Sequence, residues 1–378
     1  MPNRLIPPTV QLPRLLKLPI ARRWTLTNGL QIVAIDGAKS PILRLELIFA
    51  AGRPYEVERL VARATNQLLA EGTKQRTAAE LEEFFEFYGT SLRTPNLFDT
   101  GNLVVYTILP HLSEVLPVFA EVASQPAFTE RDFDIYRKRS RQDLREDLTD
   151  PDTIAYRWFT ELVFGKNHPY GYNGYPADYL QLSLADVALH HNRAYVANNA
   201  TLLVAGKVTK EVEKLLEQHL GQLPPGQKLN PEKFVEQDLP AGTWQISRPK
   251  AQQTLVRRGR QLFKRDHPDF AGLEVLNTIL GGYFGSRLMK NIREEKGYTY
   301  GIDSSVDFMR FGGYMTISAD VANDNVAAVR TEIDQEIEKL QTDLVPEKEL
   351  KLVRAYLLGG LITDIDGPLN IADRYQAA

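Results

Sequence analysis

The sequence predicts an α+β fold in which one structural pattern is used twice. Three observations lead there. Strand-like and helix-like periods follow one another in the same order in both halves of the 378 residues. A stretch rich in Pro, Gly and charge, Gly221–Gly242, lies between the halves. Hairpin-like strand pairs followed by paired helices favour two mostly antiparallel sheets covered by helices over a doubly wound parallel sheet.

The elements run as follows. The first half opens with a strand-like run, Ile42–Ala50, and a helical stretch, Val57–Leu69. A hairpin-like region follows, with Asn102–Leu109 (NLVVYTIL) as its clearest strand, and then amphipathic helices over His111–Ser124 and Glu130–Leu148. A strand at Thr201–Ala205 and a helix at Lys210–Leu220 close this half. The second half repeats the order: strand Gln253–Arg260, helix Phe270–Leu280, strands Tyr300–Val306 and Gly313–Ala319, helices Asn325–Gln341 and Pro346–Leu358. Even the glycines ending the early helix correspond, Gly72 in one copy and Gly281–Gly282 in the other. The expected division is a first domain over 1–225, a linker over 226–242 and a second domain over 243–378. The second copy stops at Tyr375–Ala378 inside a helix-like stretch, so it reads as truncated.

Composition excludes several classes of function. Hydrophobic residues make up 43% and charged residues 25%, with a formal net charge of −3, so neither nucleic acid nor an anionic membrane is an expected partner. The basic residues of Arg137–Arg145 are diluted by neighbouring acids and read as a solvated helix face. Cysteine is absent, which removes disulfides, thiolate nucleophiles and Cys-based metal sites. The opening residues are interrupted by five prolines and several arginines, unlike a signal peptide, and no run reaches membrane-span length. A cytoplasmic location is expected, although a cysteine-free chain suits the periplasm equally.

The stretch Leu280–Ser305, LGGYFGSRLMKNIREEKGYTYGIDSS, resembles the C-terminal half of the insulinase/pitrilysin/mitochondrial-processing-peptidase family. A Gly-rich turn precedes L-x-x-x-I-R-E-x-x-G-x-x-Y in that family, and Leu288, Ile292, Arg293, Glu294, Gly297 and Tyr300 fill those places. His168-Pro169-Tyr170-Gly171 and Ala70-Glu71-Gly72-Thr73 are similar to two further family stretches, and the likeness extends from about Trp24 to the end. It implies two homologous LuxS/MPP-like domains and makes Arg293 and Tyr300 a substrate-binding pair. The residue types suit that role. An arginine in a last helical turn, ended by a glycine, leaves its guanidinium fork free, and a tyrosine seven positions later can bring a phenolic O–H beside it. Together they offer donors to a peptide carbonyl or to the oxyanion formed from it. Outside the motif, a surface ion pair with Glu294 or Glu295 beside a core tyrosine would be the simpler account.

Active members of the family carry H-x-x-E-H on the first helix. Alignment on Glu71-Gly72-Thr73 places Arg63, Asn66 and Gln67 at the two His and the Glu positions. Val57, Leu60, Val61, Ala64 and Leu68 form an apolar stripe, with Arg63, Asn66 and Gln67 expected on another face. Arginine has no lone pair to give, and Asn and Gln are poor zinc ligands and no general base. The second-helix position lies near Asp143, and one carboxylate does not hold catalytic zinc. The six histidines (His111, His168, His190, His191, His219, His267) include no i,i+3 or i,i+4 pair, so no zinc site is expected in this chain.

Other catalytic scaffolds fail as well. Gly281–Ser286 lacks the Lys-Ser/Thr of a phosphate loop, and no G-x-S-x-G elbow occurs. The resemblance therefore implies the non-catalytic chain of a two-chain zinc peptidase. A homologous partner with H-x-x-E-H would hold the zinc and bind a peptide substrate jointly with this chain, while a homodimer could at best bind peptide. The alternative expectation is an inactive scaffold or peptide-holding protein of the same fold.

Overall fold

A computed structural model describes residues 20–231, 234, 241–249 and 251–376. The fold is α+β, with two sheets. Arg22–Thr25 (β1), Gln31–Asp36 (β2), Ile42–Phe49 (β3), Leu92–Arg93 (β4), Gly101–Ile108 (β5) and Ala200–Gly206 (β6) form the first. Its order is β1-β2-β6-β3-β5-β4, with β2 and β6 parallel and the other neighbours antiparallel. The second is antiparallel throughout: Gln253–Leu262 (β7), Thr299–Met309 (β8) and Gly312–Ala322 (β9), in the order β7-β9-β8. The duplication is visible in the pairing. Within the first sheet β3, β5 and β4 lie side by side in the same arrangement as β7, β9 and β8 in the second.

In the first half the helices are Val61–Leu68 (α1), Ala78–Phe87 (α2), Leu112–Ser124 (α3), Glu130–Asp147 (α4), Pro151–Phe164 (α5), Asp178–Gln181 (α6), Leu184–Ala194 (α7) and Lys210–Leu220 (α8). The second half has Phe270–Leu280 (α9), Val326–Thr342 (α10), Glu347–Asp364 (α11) and Pro368–Gln376 (α12). Alternation along β3 and β5 sends Leu43, Leu45, Leu47, Leu103 and Val105 into one core with Val115, Leu116 and Phe119 of α3. In the second half Ile302, Ile317, Ala319 and Val321 meet Val329 and Ile333 of α10 in the same way.

Each sheet has a second face, and across that face the halves exchange a helix. α5 leaves the first half and lies on β7 and β9. Phe159 packs edge-on against Tyr314 at 5.7 Å, and an added Cβ at Gly259 would stand 2.6 Å from the Phe159 ring, so glycine is what lets the helix approach. Asp152 pairs with Arg257 at 2.5 Å. In return α12 lies on β2 and β6, where Ile371 and Ala372 pack with Val33, Ile35, Leu203 and Ala205. There Asp373 bonds Arg44, which also holds Glu46 at 2.5 Å. Each visiting helix is thus apolar at its centre and clamped by one Asp–Arg pair.

Three sequence expectations change. The helix expected from Val57 begins at Val61, and Val57 is exposed. Leu60 sits in the left-handed region at φ 71°, a conformation that interrupts the helix before Val61, so Val57 does not belong to its apolar stripe. Residues 221–230 are tied to the first half: Leu223 is buried, and Gly226 and Leu229 donate backbone N–H to Asn198 and Asn199. Of the expected linker, residues 232–233 and 235–240 lie outside the described residues. Thirdly, α2, α5 and α7 were not anticipated: α2 stands where a hairpin-like region was expected, and α7 is a principal neighbour of α1.

Candidate functional site

Packing delivers Arg293 and Tyr300 to one place. α9 ends at Gly281–Gly282, where a Cβ on Gly281 would lie 2.5 Å from the Ser304 nitrogen. That closeness lets Ser304 donate its N–H to the Gly281 carbonyl, fixing the turn to β8. The chain re-enters a helix anchored by Leu288 and Ile292, both fully buried, and by Arg287, which grips Glu349 through two bonds of 3.0 and 2.9 Å.

Both candidate residues sit on irregular backbone. Met289–Glu295 is a π-helix, the wider winding often found at functional sites. It stops at Gly297, whose φ of +65° suits glycine. β8 then opens with a register shift between Thr299 and Ile302, a bulge that frees Tyr300 from the regular ladder. The Thr299 hydroxyl stabilises the bulge by donating to the Asp320 carbonyl and accepting from the Gly301 amide. Tyr300 is consequently 90% exposed. Arg293 donates Nε–H to the Tyr300 carbonyl at 2.9 Å and lies 4.8 Å over the Phe284 ring, itself 63% exposed. The Nε–H is used to hold the strand, and the remaining N–H groups of the fork have no hydrogen-bond acceptor among the described residues. The partner of Arg293 is thus a main-chain carbonyl and an aromatic face, not Glu294 or Glu295. Phe284 was missed in the sequence; its place in the Gly-rich turn, nine residues before Arg293, gave no signal without a fold.

On α1 the three degenerate positions separate. Arg63 is exposed and Gln67 half-buried, while Asn66 is 2% exposed. The expectation of a shared outward face fails for Asn66. Its amide donates to the Pro95 carbonyl at 2.9 Å, and its oxygen accepts from the Tyr195 hydroxyl at 3.1 Å. Packing of α7 and β5 against α1 encloses that side of the helix. The residues do not fit a zinc ion: a cation stands at one ligand position, and the amide at the general-base position is committed to the protein's own groups. Among the described residues no group of three or more His, Asp or Glu is arranged to hold a metal.

The start of α1 carries a further titratable group. Glu56 accepts from the Ala62 amide at 3.0 Å and from the Tyr172 hydroxyl at 2.5 Å, standing in for a helix cap where Leu60 offers none. Burial pushes its carboxyl up to about 7, against the pull of the Tyr172 bond and the Arg53 charge. His190 and His191 are structural: each ring bonds a main-chain carbonyl, of Ala51 and Ala123, and burial lowers both to about 4. His168 is buried and accepts from the Tyr170 amide within the His-Pro-Tyr-Gly turn. Among the described residues no helix is long and apolar enough to cross a membrane.

Comparison with known proteins bears on the same features. Residues 181–357 match the family model described as the peptidase M16 inactive domain. An uncharacterized zinc protease of Rickettsia bellii is 25% identical over 349 residues, covering 89% of this chain and 82% of that protein. The zinc protease PqqE of Helicobacter pylori is 22% identical over 375 residues, 94% of this chain and 82% of its own length. Among solved structures, a peptidase M16 inactive domain from Pseudomonas fluorescens superposes with a TM-score of 0.80 at 23% identity, over 91% of this chain and 86% of that one. A protease from Helicobacter pylori gives 0.82 at 21% identity, over 94% and 88%. At these identities the structures speak to the fold alone.

Proposed function

We propose that this chain, which matches the peptidase M16 inactive-domain model over residues 181–357, is the non-catalytic half of a two-chain zinc peptidase. A homologous partner bearing H-x-x-E-H holds the zinc and performs the bond cleavage. This chain contributes Arg293 and Tyr300, which orient an extended peptide and donate hydrogen bonds to the carbonyl oxygen as it gains charge. The observation that carries this is the presentation of the pair. A π-helix, a left-handed glycine and a β-bulge converge on a half-buried Arg293 and an exposed Tyr300, and such departures from regular backbone concentrate at functional sites. The α1 positions support the division of labour, since Asn66 is spent on structure and Arg63 repels a cation.

The test mixes the catalytic partner with wild-type or Arg293→Ala chain and follows hydrolysis of a quenched fluorescent peptide. Loss of one such donor is worth about 3 kcal/mol in the barrier, so turnover should fall roughly a hundredfold. Undiminished turnover in the variant mixture would end the trans role and leave a scaffold that holds peptide.

A further inference from the structure

The second face of the C-terminal sheet is only partly covered by α5, and the uncovered part is an open trough of about 590 Å³. Alternation along the strands places Asp303, Ser305 and Asp307 of β8 and Thr316, Ser318 and Asp320 of β9 on this face, opposite the Ile302–Ile317–Ala319 core. The corresponding face of the first sheet is built otherwise: Val33, Ile35, Leu203 and Ala205 bury themselves under α12. Carboxylates and hydroxyls run along this face, bordered by Tyr156, Tyr314 and Met289, so an occupant needs a polar head to satisfy them and can rest an apolar stem on the rim.

The sign of its charge follows from the pairing. Four carboxylates line the trough, those of Asp152, Asp303, Asp307 and Asp320, against one guanidinium, Arg257. Arg257 is already bonded to Asp152 at 2.5 Å and to the Ser318 hydroxyl at 3.1 Å. Asp303 and Asp320 have no ion-pair partner among the described residues. A second observation is independent of charge. Thr316, on the trough floor and 6% exposed, has a hydroxyl oxygen with no hydrogen-bond partner. A buried hydroxyl left unmatched costs free energy that a bound donor would recover. Burial raises the Asp303 carboxyl above its ordinary range despite Arg257, with Asp152 and Asp320 adding to the rise, so a cation placed there relieves an unfavourable field.

The trough also has a direction. Gly301 lines it immediately after Tyr300, and Met289 lines it one helical turn before Arg293. The geometry points to a subsite for a Lys or Arg side chain of an extended peptide, with Asp303 and Asp320 supplying the charge and Thr316 the acceptor. This deepens the peptide-binding role proposed above and rests on it for its place in hydrolysis, while the binding itself belongs to this chain alone.

The full chain, without a partner, is titrated into a fluorescein-labelled eight-residue Gly/Ser peptide carrying two lysines, and into its glutamine counterpart, with anisotropy as readout at low ionic strength. Two partly exposed charge pairs should make the lysine peptide bind roughly tenfold tighter. Asp303→Asn/Asp320→Asn should erase the difference while leaving the circular dichroism spectrum unchanged and the melting point no lower, since neither carboxylate has an ion pair to lose and Asp303 is repelled by its acidic neighbours. Thr316→Val should weaken only the lysine peptide. Equal affinity of wild type for the two peptides, or a preference that survives in the double Asn variant, overturns the subsite. Such a result beside a deficient Arg293→Ala mixture would leave the trans role standing. A lysine preference beside undiminished Arg293→Ala turnover would do the reverse.

Discussion

Asn66 shows what a residue type can and cannot tell. Its identity alone shows that the general-base position of the zinc helix has lost its chemistry, because a carboxamide does not take a proton near neutral pH. Its burial was not readable, since Pro95 and Tyr195 reach it from elements remote in sequence. Asn66→Ala should therefore cost stability rather than function. Leaving the Pro95 carbonyl and the Tyr195 hydroxyl unmatched is worth about 1–3 kcal/mol, to be seen as a lower urea midpoint with unchanged slope. A midpoint equal to that of wild type would mean that both groups find other partners. Arg293 and Tyr300 were singled out by the family motif they match, not by residue type or spacing alone; that Arg293 would lie over Phe284 and be tied to the main chain of residue 300 was not readable.

At the scale of elements, sequence periodicity located β3, β5, β7, β9 and most helices, since each buries one face against its own half. It missed α5, whose burial crosses between halves, and also α7, which packs on α1 within its own half. α5 spreads its large apolar side chains around the helix, because Phe159 serves the other half's sheet while Trp158 is half exposed. The start of α1 was misjudged because its cap comes from Glu56, before a left-handed Leu60. That cap makes the helix sensitive to pH. The folded-state value of about 7 lies above the ordinary 4.5, so the folded chain holds this proton more tightly than the unfolded one. The Glu56 contribution is full below about pH 4.5 and is lost as pH rises through 7. Glu56→Gln, neutral throughout, should gain on wild type between pH 4.5 and 8 when urea unfolding is compared at both. Parallel pH profiles for the two proteins would show that Glu56 titrates normally.

For the whole molecule, the exchange of α5 and α12 matters more than either sheet. The halves are joined by the aromatic cluster of Phe159, Phe164, Tyr170 and Tyr314, by Asp99 accepting from Tyr170 and from the Arg310 amide, and by the two Asp–Arg clamps. Unfolding should be one transition. Phe159→Ala opens the contact at Gly259 and Tyr314 and should cost about 3–5 kcal/mol. If the exchange is what couples the halves, its calorimetric trace should broaden until the calorimetric enthalpy exceeds the van't Hoff value. A lower melting point with the two enthalpies still equal would assign the coupling elsewhere.

The exchange also sets a timetable for the nascent chain. β2 and β6 can pair once residue 206 has left the ribosome, yet the apolar side chains that await Ile371 and Ala372 stay wet until α12 is made. At ordinary synthesis rates that interval is roughly ten to thirty seconds. During it, Val33, Ile35, Leu203 and Ala205 form an oily patch on an otherwise finished sheet. A cell producing this protein has to shield that patch, and a holding chaperone should be found on ribosome-bound chains stalled before residue 368 and released from those extended well beyond residue 376.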